Sequence, residues 1–98
     1  MTLDLVVRPF AKREMDEAAQ WYADRSTVSA ARFSQTLAKG LRAIAGDPFR
    51  YPLIGGTTRR FILAPFPYSL LYRTNSEEVV VLACFHGRRD PARWRFRR

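Results

Sequence analysis

The chain has 98 residues, of which 47% are hydrophobic and 13% aromatic, enough for one domain with its own core and too apolar for a disordered segment. The formal charge is +8 and unevenly placed: residues 59–98 carry nine arginines, no lysine and three acids, whereas residues 1–58 carry eight Lys/Arg against six acids. Such a balance suits a polyanion or a nucleic-acid-handling partner better than a small neutral metabolite, with a solvated basic face that keeps the protein soluble as the plain alternative.

In chain order, Leu3-Asp4-Leu5-Val6-Val7 is a short β-rich run without a helix cap and reads as a strand. Arg8-Pro9 ends it, because proline suits the first turn of a helix. Ala11, Met15, Ala18 and Tyr22 then recur at steps of four, three and four, flanked by Ala19 and Trp21, and define a helix over about 9–24. Lys12, Arg13, Asp16, Glu17 and Gln20 fill its polar face, and Glu14 is grouped with them as an ordinary surface charge. Ser26 or Thr27 can cap a second helix, whose stripe is Ala30, Phe33, Leu37, Leu41 and Ile44 and whose stop is Gly46-Asp47-Pro48. The short connection makes the two helices an antiparallel hairpin. Residues 47–57, with Pro48, Pro52, Gly55 and Gly56, read as a loop.

Three strands follow at about 58–64, 67–74 and 78–86, with turns marked by Pro65 and Pro67 and by Asn75-Ser76, forming an antiparallel meander. The expected class is α+β in the order β-α-α-β-β-β, with the N-terminal strand and helix hairpin packed on one face of an antiparallel sheet. One domain spans residues 1–98 and ends in an Arg-rich tail over about 91–98 that contains Trp94 and Phe96. The longest apolar run, Val79 to Phe85, is too short to cross a membrane, no signal peptide is visible, and the expected location is the cytoplasm. The lone Cys84 lies inside that run and reads as a buried, inert thiol, with a nucleophile as the alternative.

His86 is the only histidine and ends the last strand, with Arg88 and Arg89 beyond it. It can serve as a general base or acid, or as a structural or phosphate-contacting group that transfers no proton. Arg59, Arg73 and Arg89 are candidates for one convergent surface, either to stabilise a phosphorane-like transition state or to bridge to an acidic partner, and the strand register decides which of them meet. No paired carboxylates, phosphate loop, metal spacing or cofactor motif is present; Gly55-Gly56 lacks the spacing and the lysine of a P-loop. Trp21, Tyr22 and Phe33 read as core residues or as an aromatic edge open to a partner helix.

Taken together, the first strand, Trp21-Tyr22 and Phe33 on the hairpin, Asp47-Pro48, Tyr51-Pro52, Arg59-Arg60, Phe66-Pro67-Tyr68 to Tyr72-Arg73, and His86-Gly87-Arg88-Arg89-Asp90-Pro91-Ala92-Arg93-Trp94 resemble the ParE/RelE superfamily of bacterial toxin–antitoxin toxins, on its ParE-like branch. The resemblance covers nearly the whole chain. It implies a small basic toxin neutralised by a cognate antitoxin with an acidic or amphipathic segment. ParE-type members poison DNA gyrase by binding, whereas RelE-type members cleave messenger RNA on the ribosome. For a ParE-like toxin the resemblance implies target contacts through Arg59, Arg60, Arg73, His86, Arg88, Arg89 and Trp94, and no catalytic residue. For a nuclease it implies His86, Arg59, Arg73 and Arg89, although no C-terminal tyrosine matches the RelE pattern. A member that only binds its antitoxin is a further alternative. The antitoxin contact is expected in an apolar groove beside the helix hairpin, with Trp21, Tyr22 and Phe33.

Overall fold

The structure, a computed structural model, describes residues 3–87; Arg88, Arg89, Trp94 and the 91–98 tail lie outside the described residues. The elements are β1 (Asp4–Val7), α1 (Pro9–Ala23), α2 (Thr27–Gly46), β2 (Leu53–Gly55), β3 (Thr58–Ile62), β4 (Tyr68–Thr74) and β5 (Glu78–His86). They form one five-stranded sheet in the order β1-β5-β4-β3-β2, with the helix pair packed on one face.

Local chemistry sets the boundaries. Pro9 occupies the first turn of α1, where its missing N–H costs nothing. Ser26 caps α2, its hydroxyl accepting from the Ser29 N–H at 3.2 Å. The Asn75 side chain accepts from the Glu77 and Glu78 N–H groups at 2.8 and 2.9 Å and closes the turn between β4 and β5. Gly56, at φ 54°, takes the left-handed conformation that a two-residue hairpin between β2 and β3 requires.

The α+β class and the helix–helix–meander order match the expectation, and two features of the sheet differ from it. The sheet is mixed rather than wholly antiparallel, because β1 is hydrogen-bonded parallel to β5 from Asp4↔Glu78 to Val7↔Val81. Parallel neighbours need a long connection, and here everything from α1 to β4 supplies it. The 47–57 loop also contains β2, a three-residue edge strand paired antiparallel with β3. So short a strand between Pro52 and Gly55-Gly56 leaves only turn signals in the sequence.

At the centre, β5 carries a bulge. Tyr72 faces Val81 and Leu71 faces Ala83, which leaves Leu82 as the extra residue. On the helix side, Val79, Val81 and Cys84 join Leu63, Leu70, Tyr72, Ala11, Met15, Ala18, Phe33 and Ile44 in the main core. On the other side, Leu71, Ala83 and Phe85 form a smaller cluster with Ile54 against it.

Glu14 is not a surface charge. It is buried among Ala11, Met15 and Ala18, and its carboxylate accepts from the Cys84 N–H at 3.2 Å. The pairing of β1 with β5 extends only to Val81, so an acceptor from α1 satisfies a backbone donor beyond the point where that ladder gives out. Position 14 lies three residues after Ala11 and four before Ala18, so it belonged to the buried stripe all along.

Helix α2 comes close to the sheet at Gly40. A Cβ there would stand 2.9 Å from Leu63 Cδ2 and 3.0 Å from Phe61 Cε1, and Leu63 is fully buried. Gly40→Ala gains about 1 kcal/mol of helix propensity but overpacks by about 1–3 kcal/mol. The expected outcome is a lower Tm in thermal denaturation; a raised Tm would show that Leu63 and Phe61 yield without cost.

Candidate interaction surfaces

At one end of the sheet an aromatic cluster runs from core to surface. Tyr22 stacks on Phe33 at 5.2 Å and meets Phe66 and Tyr68 edge-on at 5.1 and 6.5 Å. Trp21 lies edge-on to Tyr22 at 5.0 Å, and Tyr68 edge-on to His86 at 5.1 Å. Trp21, Tyr22, Pro67, Tyr68 and His86 line a cleft of about 310 Å³. Trp21 is 49% exposed. The Arg25 guanidinium sits 3.7 Å from its ring centroid while donating to the Trp21 carbonyl at 2.9 Å, which holds the indole in place. Phe33 is fully buried, so it has no surface for an antitoxin; it supports Tyr22 from below. A helical stripe identifies such a residue without telling its inner half from its rim.

The arginines divide between the two faces of the sheet. Arg59 stands opposite Tyr72 on the helix side and donates from Nη1 to the Tyr51 and Phe49 carbonyls at 2.6 and 3.2 Å. The Tyr72 hydroxyl donates to the buried Pro48 carbonyl at 2.7 Å. Together they fasten the segment between α2 and β2, a structural task that the sequence reading did not foresee for either residue. Arg60 stands opposite Leu71, so strand alternation puts it on the other face with Arg73, as its diagonal neighbour. The Arg73 Nε is shielded from water and has no hydrogen-bond partner.

His86 belongs to neither group. It pairs with Tyr68, five residues along β4 from Arg73 and four from Tyr72, the partner of Arg59. At about 3.3 Å per residue, His86 is about 17 Å along the strand from Arg73 and about 13 Å from Arg59. Among the described residues, His86 therefore does not converge with Arg59 and Arg73 on one reacting centre. Arg89, the fourth member of the nuclease set, lies outside the described residues, as do the target-contact candidates Arg88 and Trp94.

The hairpin carries an apolar groove of about 420 Å³. Val7, Met15, Ala19, Leu37, Ala38 and Leu41 line it, and the Lys12–Asp16 pair, at 2.6 Å, stands at its rim. The groove beside the hairpin was anticipated, but its walls are these aliphatic residues rather than the aromatic ones. The same periodicity that marks Leu37 and Leu41 as helix-stripe residues hides the fact that they are only partly covered, whereas Met15 at the groove's floor is buried.

Among the described residues no cluster of three or more His, Cys, Asp or Glu could hold a metal ion, and no helix is long and apolar enough to cross a membrane. Cys84 is buried, and that burial, reinforced by the nearby Glu14 carboxylate, pushes its thiol up to about 12. A thiol so reluctant to ionise is no nucleophile.

The sequence carried on this fold belongs to a class, the toxins of type II toxin–antitoxin systems. Residues 5–91 match the family described as the ParE toxin of the type II toxin–antitoxin system parDE, and the chain belongs to that family. It is similar to the toxin RelE1 of Caulobacter vibrioides, with 32% identity over 90 residues covering 89% of this chain and 96% of that protein. Its fold is that of a chain in the chromosomal ParDE toxin–antitoxin system from P. aeruginosa, with a TM-score of 0.75 at 16% identity, covering 87% of this chain and 96% of that one.

Two buried groups make stability depend on alkaline pH. Burial raises Tyr72 from 10.0 to about 12 and Cys84 from 9.0 to about 12. The unfolded chain thus loses these protons first, so their contribution is whole below about pH 9 and is lost as pH rises toward 12. In urea titrations the midpoint should fall across that range. Cys84→Ala should soften the early part of the fall and Tyr72→Phe the later part; an unchanged profile in both variants would show that neither group is linked to folding.

Proposed function

We propose that this chain is a ParE-like toxin that arrests growth in the cytoplasm by binding and trapping DNA gyrase, and that a cognate antitoxin holds it inactive. The observation that carries this reading is the separation of His86 from Arg59 and Arg73 along the sheet. Bond cleavage needs a proton-transfer group and a charge-stabilising group within hydrogen-bond reach of one substrate position. Binding needs only surfaces. Arg60 and Arg73 on one face, and Trp21 beside His86 at the sheet's end, are such surfaces, and arginine and tryptophan are favoured interface anchors.

A second reading is a RelE-like ribosome-dependent endoribonuclease, favoured by the name of the relative that is 32% identical. Expression without antitoxin, followed by assays for gyrase-dependent DNA breakage and for transcript integrity, separates the two. The expected result is broken DNA with intact transcripts, with His86→Gln as toxic as the parent. Cleaved transcripts with intact DNA, lost in His86→Gln, would replace the gyrase reading by the nuclease. Absence of growth arrest would leave a member that only binds its antitoxin.

The antitoxin reading rests on the groove between the helices. An amphipathic segment can lay its apolar face on Met15, Ala19, Leu37 and Leu41, with its acidic flank toward Lys12. Ala38→Glu places a charge in that groove without touching the core. It should weaken antitoxin binding by about 2 kcal/mol or more, roughly thirtyfold in Kd by calorimetry, with an unchanged Tm. Full-strength binding by this variant would move the antitoxin elsewhere.

A further inference from the structure

Between Asp24 and Asp47 the sequence holds three arginines and one lysine and no acid. Three of these cations share one rib of α2. Val28, Arg32, Gln35, Lys39 and Arg42 recur at steps of four, three, four and three, and all five are exposed. This rib faces away from the groove wall made by Ser34, Leu37, Ala38 and Leu41. From Arg32 to Arg42 it covers about 15 Å of helix.

Several other cations of the described chain are engaged, Lys12 with Asp16, Arg25 with Trp21 and Arg59 with two carbonyls, and Arg60 and Arg73, which are not, lie on the sheet rather than on a helix. Arg32, Lys39 and Arg42 have no ion-pair or hydrogen-bond partner among the described residues. A 20-residue helix whose only charges are unpaired cations repels itself and attracts an extended anion.

We propose that this outer face of α2 is a docking surface for the sugar–phosphate backbone of double-stranded DNA. The companions of the cations are the polar Gln35 and the neighbouring Thr36, and Arg, Lys, Thr and Gln are the side chains that contact phosphate oxygens. Val28, 61% exposed, is the rib's one large apolar group, too little to anchor a protein partner. The rib carries no aromatic ring on which the bases of a single strand could stack, which favours a duplex. The choice of DNA over duplex RNA rests on the gyrase reading, since gyrase is an enzyme that acts on DNA. The antitoxin groove lies on a different side of α2, so the two surfaces can be occupied at once.

The test is fluorescence anisotropy of a labelled 20-base-pair DNA duplex of mixed sequence titrated with the purified full-length chain between 50 and 200 mM salt. Each phosphate contact contributes about 0.9 to the slope of log affinity against log salt. The variant Arg32→Ala/Lys39→Ala/Arg42→Ala, with its Tm checked, should show a slope shallower by about 2–3 and at least tenfold weaker binding at 50 mM salt. Its affinity for antitoxin should not change. A variant that binds DNA like the parent overturns the proposal, as does a loss of binding seen only in Arg88→Ala/Arg89→Ala. Binding of a matched RNA duplex in place of DNA, or of poly-glutamate in place of both, overturns it in favour of that partner. Because the assay contains no gyrase, a chain that spares gyrase in cells yet binds DNA through α2 keeps this surface and loses only the gyrase reading.

Discussion

Seven consecutive apolar residues, Val79 to Phe85, must be removed from water on both faces of one strand, and that requirement arranges everything around them. Both ladder edges are used, β4 along the full length of β5 and β1 along its first half. One face takes the helix pair and the other a smaller cluster built on Leu71 and Ile54. A run of this kind gains roughly 1.5–3 kcal/mol per large side chain on burial, but only if its backbone donors are also satisfied. Glu14 is the visible cost of the arrangement. Where β1 gives out, a carboxylate has to enter the core to accept from Cys84.

A central strand of nine residues also sets distances. It spans about 30 Å, so groups attached near its two ends cannot act on one small substrate. The aromatic cleft with His86 lies at one end, while Arg59 and Arg73 sit toward the other, on opposite faces. Arg59 is further committed to the carbonyls of Phe49 and Tyr51, a fixed bond pattern that would have to break before it could clamp a phosphate. What the sheet offers instead is several separate contact areas. That is the layout of a protein recognised from more than one side.

The parts of this fold that could be read in the sequence are those with a period. The stripe Ala30, Phe33, Leu37, Leu41 and Ile44 needs no tertiary information to be seen as helical, and neither does the turn at Asn75-Ser76. What could not be read depends on pairing. The parallel match of β1 with β5 and the slip at Leu82 are long-range choices, and β2 is too short to carry alternation. The site residues follow the same rule. His86 beside aromatic rings was legible, because it ends a strand that runs antiparallel to one beginning near Tyr68. The division of Arg59 from Arg60 and Arg73 was not, because one residue of register moves a side chain to the other face. Phe33 and Glu14 show the same limit, an aromatic that read as either core or rim and an acid that read as surface, since a stripe gives direction but not depth.

Helix α2 shows how little sequence is needed to separate functions in space. Its inner side is consumed by packing, with Phe33 and Ile44 buried and Gly40 pressed against Leu63 and Phe61. One flank, at Leu37, Ala38 and Leu41, is apolar and only partly covered. The outer rib is cationic, with Arg32, Lys39 and Arg42. A helix that served packing alone would gain from Glu–Lys pairs on its outer rib, each worth a few tenths of a kcal/mol, and this one has none. The omission leaves repulsion uncompensated along three turns. Stability of the isolated chain does not account for it, whereas a partner that neutralises the rib does.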